Sequence, residues 1–486
     1  MKKRYFLFLI ISLLLLNGLF ICCFILRDKS IRITDEMLEE ETDMESAWDF
    51  KQNLNIGWNL GMSLSANINY PSIIQYSIHI EDFESDKLAL NDFYKISLNK
   101  ETKSKPLIKF DIPYSTLDGI LYWTIETLAF DNKTVISNKT FASNVDKGKV
   151  SVLLDNIDIS FYKNIEINIS VQKFYEFDTL EKVNFYELFW GKTITTKELI
   201  KTLKDKGFNA IRISFDVYNH IDNTDSIDEL WLNRLVEIVD YCMELDMYCL
   251  VDIIETYGLY SDDLNDESIQ RFINLWTQVA TTFKEYDHKL IFSPFNEIRN
   301  HQGDWNTDEK TILDNMNKLY QIFVDTIRNT GGKNRYRNLM LTTYAGGVNE
   351  LILESIKVPN DVSYNHLLFE CHCYVPVRFT FNEINLGSTN FRYEWGSLKD
   401  KNELHKIFKV INKFINKTKM PFIIGEFGVV DRNSVNERIE YLRHYKKLAN
   451  KYKVGLFIFD DAHDFAIINR KTYEFYEEEI IDVLVK

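Results

Sequence analysis

Proline and glycine are scarce in this sequence, which has only 7 Pro and 18 Gly among 486 residues. Long flexible or proline-rich linkers consist of such residues, so we expect no linker of this kind. Positive charge is also in deficit, because 57 Lys and Arg face 72 Asp and Glu and leave a net charge of −15. Nucleic-acid binding requires clustered positive charge, and we therefore expect no nucleic-acid partner.

Cysteine is scarce as well, with 6 residues in the whole chain. The four beyond the N-terminal segment are too few for a disulfide scaffold. Cys371, His372 and Cys373 together resemble part of a metal site. No second Cys/His pair lies at zinc-site spacing, so a buried strand is the favoured interpretation and no metal is expected.

The remaining composition is that of a globular protein, with 45% hydrophobic, 27% charged and 14% aromatic residues. At about 150 residues per domain, the length predicts roughly three units, or one large barrel with additions. The aromatic surplus would suit a sugar as partner, although composition alone does not identify one.

The N-terminus predicts export. Three basic residues precede an apolar run from Tyr5 to Leu26, which is long enough to span a bilayer. Because no small-x-small cleavage pattern follows, we interpret residues 1–29 as an uncleaved signal anchor, with a cleaved signal peptide as the alternative. Either way the protein is expected outside the cell or on its surface, in contact with the membrane through residues 5–26 unless cleaved. The acidic residues 30–53 are interpreted as a solvated spacer.

Two different patterns of apolar residues follow along the chain. Residues 54–69 begin with a short apolar strand, and residues 70–178 then alternate with period two between polar turns. This alternation predicts an inserted antiparallel β-sandwich, for which carbohydrate binding and a purely structural role both remain open.

Residues 179–486 alternate short apolar strands with amphipathic helices, which predicts a parallel sheet. Counting the strand at 54–60, eight strands are found, as in a (β/α)₈ TIM barrel of the α/β class. The sandwich is then inserted between strand 1 and helix 1. A doubly wound open sheet is the alternative, but no Gly-rich phosphate-binding turn follows any strand.

Barrels of this kind carry their active sites at the carboxyl ends of the strands. Two glutamates, Glu297 and Glu426, follow separate apolar strands there. Two carboxyl groups about 5 Å apart suffice for retaining glycoside hydrolysis, in which one donates a proton and the other attacks the anomeric carbon. Arg212 beside one carboxylate would keep it ionised. His372 and Tyr374 are two residues apart and therefore point to the same face, with the Tyr374 hydroxyl placed to bind a carboxylate.

These segments resemble glycoside hydrolase family 5, the endoglucanase-like branch of the retaining (β/α)₈ hydrolases. The resemblance covers about 55–66 and 186–480. It is carried by these motifs: Asn59-Leu60-Gly61, Trp190-Gly191, Gly207 to Ile213 with Arg212, Phe295-Asn296-Glu297, Gly331 to Asn334, His372-x-Tyr374, and Gly425-Glu426-Phe427-Gly428.

The resemblance implies a role for each residue. Glu297 would be the acid/base and Glu426 the nucleophile. The supporting roles would fall to Asn296 on the substrate 2-hydroxyl, to Arg212 and Tyr374 on the nucleophile, and to His372 on the acid/base. No metal or organic cofactor is implied.

Two positions depart from the family. Where a pair of substrate-binding histidines usually follows the third strand, this chain has Ile254 and Glu255. Where a stacking tryptophan usually follows the last strand, it has Phe459, which would have to substitute for it.

The sequence therefore predicts a monomeric, retaining, endo-acting hydrolase of β-1,4-linked glucan: cellulose, mixed-linkage glucan or xyloglucan. A mannanase or xylanase of the same fold is a neighbouring alternative. The missing histidine pair supports a second hypothesis, a cell-surface carbohydrate-binding protein on a catalytically impaired barrel.

Overall fold

The computed structural model describes residues 44–65, 183–188 except 185, 193–382 except 363, and 394–486, together with the backbone of the strands between 76 and 176. The apolar segment Tyr5–Leu26 and the pair Trp190-Gly191 lie outside the described residues. Among the helices that are described, none combines the length and apolar character needed to cross a bilayer.

The strands are named in chain order. They are β1 (Gly57–Asn59), β2 (Tyr76–Ile80), β3 (Leu107–Asp111), β4 (Gly119–Ala129), β5 (Val135–Val145), β6 (Lys149–Leu153), β7 (Ile165–Glu176), β8 (Ala210–Phe215), β9 (Tyr248–Ile253), β10 (Leu290–Ser293), β11 (Leu339–Thr342), β12 (Leu367–His372), β13 (Phe422–Phe427) and β14 (Gly455–Ile458).

The helices are named in the same way. They are α1 (Ala47–Asn53), α2 (Lys197–Lys206), α3 (Glu229–Glu244), α4 (Asp266–Thr282), α5 (Lys310–Asn329), α6 (Glu350–Ser355), α7 (Val377–Thr380), α8 (Leu398–Thr418), α9 (Val435–Tyr452) and α10 (Glu478–Val485).

Parallel strands form a closed barrel in the order β1-β14-β13-β12-β11-β10-β9-β8. The predicted (β/α)₈ fold is therefore confirmed, and the open doubly wound sheet is wrong. The strand residues are almost all buried, because one face points into the barrel and the other packs against the helices. This double burial explains why these strands appear in the sequence as continuous apolar runs.

The segment between β1 and α2 contains the strands β2 to β7. They pair antiparallel, as a four-stranded sheet β2-β7-β4-β5 and a two-stranded sheet β3-β6. The predicted alternation thus corresponds to strands. Their side chains lie outside the described residues, so a face-to-face sandwich stays a prediction.

The spacer assigned to residues 30–53 is wrong for its last residues, which form α1. Ser46 caps this helix by accepting the Asp49 N–H at 3.2 Å. Ala47 and Phe50, three residues apart, form an apolar face that the acidic surroundings obscured in the sequence. Phe50 is fully buried in the cluster at the amino ends of the barrel strands, with its ring 4.9 Å from that of Tyr248. The helix therefore closes the amino end of the barrel.

Truncating Phe50 should test this closure. Phe50→Ala removes a fully buried ring and should lower the free energy of unfolding by about 3–5 kcal/mol. Urea unfolding followed by tryptophan fluorescence measures the change. Gln52→Ala, at an exposed position of the same helix, is the matched control and should stay within about 0.5 kcal/mol. An equal effect of the two variants would mean that α1 contributes no packing to the barrel.

Candidate active site

The side chains singled out in the sequence meet at one end of the barrel, opposite α1. They are Arg212 on β8, Asn296 and Glu297 shortly after β10, His372 at the end of β12, Tyr374 two residues beyond it, Glu426 on β13 and Phe459 just after β14. The carboxyl ends of the strands thus bring together residues that are up to 247 positions apart in sequence, from Arg212 to Phe459.

Glu426 lies at a bulge in β13. The register of β13 with both of its neighbours shifts around Gly425 and Glu426, so β13 carries one extra residue there. Bulges next to active sites change the direction of a side chain. Glycine at position 425 leaves room for the buried Glu370, because a Cβ atom there would lie 1.9 Å from Glu370 Oε2. The Gly-Glu pair seen in the sequence is thus a local device that directs the carboxylate.

Glu426 is held as an anion. Arg212 Nη1 donates to its Oε1 at 2.6 Å, and Tyr374 Oη donates to its Oε2 at 2.9 Å. Burial alone would raise the pKa of Glu426, but the charges of His372 and Arg212 and the two hydrogen bonds outweigh it and lower this pKa below its usual range. An ionised carboxylate with fixed orientation is what a nucleophile requires.

His372 lies between the two glutamates. Its Nδ1 is 2.6 Å from Glu297 Oε1 and 3.6 Å from Glu426 Oε2. Burial disfavours the imidazolium, yet the charge of Glu426 and the hydrogen bond and charge of Glu297 raise the pKa of His372 to about 9. His372 is therefore a cation at neutral pH and donates to Glu297.

Arg212 also orients Asn296. Arg212 Nη2 donates to Asn296 Oδ1 at 2.9 Å, which leaves the amide nitrogen of Asn296 to donate elsewhere. Asn296 is half-buried, so this nitrogen is positioned to donate to a ligand hydroxyl. Arg212 itself is fixed by Asn59 Oδ1 at 3.0 Å and by Asp252 at 3.1 Å.

Ligand atoms of Glu297, His372 and Glu426 all lie within 4.8 Å of one another. This set is the only group in the described part of the chain with the composition and spacing for a cation. Both oxygens of Glu426 already accept from Arg212 and Tyr374, and a guanidinium at this distance would repel a metal ion. The donors therefore fit a pair of cooperating carboxyl groups better than a metal site.

Two buried carboxyl groups behind Arg212 were not found from the sequence. Asp252 on β9 accepts from Ser214 Oγ at 3.0 Å, and Glu370 on β12 accepts from Ser293 and Thr342 at 2.9 and 2.6 Å. Burial and the charge of Glu370 outweigh the attraction of Arg212 and raise the pKa of Asp252 to about 7. An acidic residue inside an otherwise apolar strand is the signal that could have identified each of them.

The two departures from the expected pattern also lie at the site. Phe459 is half-buried, with its ring 6.1 Å from that of Tyr374 and 5.6 Å from that of Phe465. Glu255 opens a short 3₁₀ turn after β9 and reaches the segment that carries Glu297. Cys371 and Cys373 are free, and both lie buried in the core.

The chain is similar in sequence to a known family of proteins. Residues 172–462 match the family model described as Cellulase (glycosyl hydrolase family 5). Endoglucanase A of Clostridium longisporum is 31% identical over 62% of this chain and 59% of its own length. The chain spans 38 to 64% of the lengths of the first curated relatives that it matches.

Solved structures are similar as well. A GH5-4 broad specificity endoglucanase from Ruminococcus champanellensis with bound cellotriose matches with a TM-score of 0.57 and 30% identity, over 62% of this chain and 89% of that one. XEG5A, a GH5 xyloglucan-specific endo-β-1,4-glucanase from a metagenomic library, matches with a TM-score of 0.58 and 29% identity, over 62% of this chain and 90% of that one.

Proposed function

Because the chain belongs to glycosyl hydrolase family 5, we propose that it is a retaining, endo-acting hydrolase of β-1,4-linked glucan. The observation that carries the proposal is the arrangement of Glu297 and Glu426, whose carboxylate oxygens approach within 4.8 Å across the barrel mouth. Retaining glycosidases place their carboxyl groups about 5–5.5 Å apart, whereas inverting ones leave room for a water at about 6.5–9.5 Å. The short spacing leaves one carboxylate in reach of the anomeric carbon.

In the first step Glu426 would attack the anomeric carbon while Glu297 gives its proton to the departing glycosidic oxygen. The bond to the leaving sugar breaks and a glycosyl ester with Glu426 forms. Arg212 and Tyr374 would hold the attacking oxygens in place. In the second step Glu297, now ionised, takes a proton from water, whose oxygen attacks the anomeric carbon and releases Glu426. Two inversions give net retention.

Contacts with the sugar would come from Asn296 and Phe459. The amide nitrogen of Asn296 would donate to the 2-hydroxyl, a contact that strengthens as positive charge develops at the neighbouring carbon. Phe459 would offer a smaller stacking face than a tryptophan, so we propose that the sugar binds more weakly there. Cellulose, mixed-linkage glucan and xyloglucan are the proposed substrates, with mannan or xylan as the neighbouring alternative.

A glycan panel tests the proposal. The wild type should release reducing ends from one or more of the three glucans faster than from mannan or xylan. The first product formed should carry the β configuration when it is followed by proton NMR before mutarotation. A first product of α configuration would overturn the double displacement.

Tight binding of a glucan without any turnover would favour the second hypothesis, a cell-surface carbohydrate-binding protein. Its support is the replacement of the usual histidine pair by Ile254 and Glu255. The intact pair of carboxyl groups, with ionised Glu426 fixed by two donors, favours the enzyme.

We also propose that the protein is exported, monomeric and held to the membrane by residues 5–26. The N-terminal residue of the mature protein distinguishes an anchor from a cleaved signal peptide.

For the inserted segment 70–178 we propose a sandwich that binds carbohydrate or shapes the cleft, and glucan affinity of a variant lacking it separates these roles.

A further inference from the structure

Glu255 is the residue that holds the backbone of the proposed acid/base. Its Oε2 accepts the Asn296 N–H at 3.2 Å, and its Oε1 accepts the Glu297 N–H at 3.2 Å, with Oε2 of Glu255 3.3 Å from the same nitrogen. Residues 296 and 297 lie in an irregular segment after β10, outside the hydrogen bonds of the barrel strands. One carboxylate, reaching across from the end of the neighbouring strand β9, therefore fixes two consecutive peptide groups.

The electrostatics of Glu297 call for such a partner. A general acid must be protonated when substrate binds. The His372 imidazolium donates to Glu297 Oε1 at 2.6 Å and so places a positive charge beside this carboxyl group. A negative charge near Glu297 counteracts the imidazolium, because neighbouring carboxyl groups disfavour each other's ionised form.

Glu255 has the properties of that counter-charge. The ionisable groups that act on it are Glu297 across the site and Asp252 near the end of the preceding strand β9, and Tyr257 lies in the same 3₁₀ turn as Glu255. Burial above all, with the charges of Glu297 and Asp252, raises the pKa of Glu255 to about 7. It therefore becomes negative as the pH rises through neutrality.

We propose that Glu255 is a positioning residue of the reaction: its carboxylate fixes the peptide groups of Asn296 and Glu297, and its negative charge counteracts the His372 imidazolium beside Glu297. This inference rests on the proposed function. It explains how a chain with a glutamate in this place retains the machinery for acid catalysis. The two contributions of Glu255, its charge and its acceptor oxygens, can be removed by different substitutions.

Glu255→Gln removes the charge and keeps one acceptor oxygen. In the pH profile of kcat/KM on a soluble glucan, its alkaline limb should move toward acid by about one pH unit relative to the wild type. On a β-cellobioside with a dinitrophenyl leaving group, which needs little acid assistance, this shift should disappear. Glu267→Gln, a loss of the same charge at an exposed position in the first turn of α4, is the matched control and should leave the profile unchanged. An alkaline limb that coincides in all three proteins overturns the electrostatic role.

Glu255→Ala removes both acceptors. Hydrogen–deuterium exchange of the peptide that contains residues 295–298 should then become about 10-fold faster or more, while Glu255→Gln shows a smaller increase. Exchange at the wild-type rate in Glu255→Ala overturns the positioning role. Because this measurement needs no turnover, it decides the positioning role even if the glycan panel shows no hydrolysis, so that failure of the proposed function and failure of the positioning role are distinguishable.

Discussion

Glu426→Ala should abolish turnover of glucan, with a fall in kcat on the order of 10⁵-fold, because it removes the atom that forms the covalent intermediate. Positioning and the acid/base remain in place, but no group is left in reach of the anomeric carbon. The loss should be equally large on polysaccharide and on a dinitrophenyl β-cellobioside, since the attack is needed in both. Initial rates of reducing-end release and of dinitrophenolate release measure it.

Added azide makes this prediction specific to a nucleophile. The space left by the Glu426 side chain should admit azide, which attacks from the side of the missing carboxylate and yields an α-glycosyl azide from the activated cellobioside. Glu354→Gln, at an exposed carboxylate paired with Lys413, is the matched control and should keep wild-type activity with no azide product. A β-glycosyl azide from Glu426→Ala would assign the nucleophile to another residue.

The family match and the barrel were accessible from the sequence because both depend on local pattern. Strands buried on two faces appear as short apolar runs, and polar residues at the ends of these runs are visible without a structure. Glu297 and Glu426 were found in this way, and the structure brings them within 4.8 Å. Their convergence follows from a general property of parallel barrels, in which the carboxyl ends of all strands meet on one face.

Other features depend on contacts across the barrel that no sequence window contains. Phe50 is an apolar residue in an acidic segment, and its burial becomes evident only once the barrel has an open amino end to fill. Asp252 and Glu370 lie inside apolar strands, where a single acidic residue is compatible with an edge, a loop or a buried network. Their pairing with Arg212, Ser293 and Thr342 depends on which strands become neighbours in the barrel.

Glu255 shows most clearly how a contact between strands changes the interpretation of a residue. From the sequence it counted as the loss of a substrate-binding histidine and supported an impaired barrel. In the structure it accepts two backbone N–H groups of the segment that bears Glu297. The substitution therefore exchanges one kind of contact for another at the same place, and its consequence for function concerns the acid/base rather than the sugar.

Glu297→Ala should separate the two halves of the reaction. On polysaccharide the leaving oxygen is poor and needs a proton, so kcat/KM should fall by about 10²–10⁴-fold. On the dinitrophenyl cellobioside the glycosyl ester should still form at close to the wild-type rate, because this leaving group departs without a proton. The ester should then accumulate, since no base activates water, and rapid mixing should show a burst of dinitrophenolate followed by a slow steady state.

Azide again assigns the role, with the opposite stereochemistry. In Glu297→Ala it should attack the accumulated ester from the face that Glu297 vacated and yield a β-glycosyl azide, and it should raise the steady-state rate to near the burst rate. A nucleophile variant and an acid/base variant thus give azides of opposite configuration from one substrate. Equal losses on both substrates with no burst would mean that Glu297 does not donate the proton. The opposite configurations of the two azide products would show that the two carboxyl groups act on opposite faces of one sugar ring.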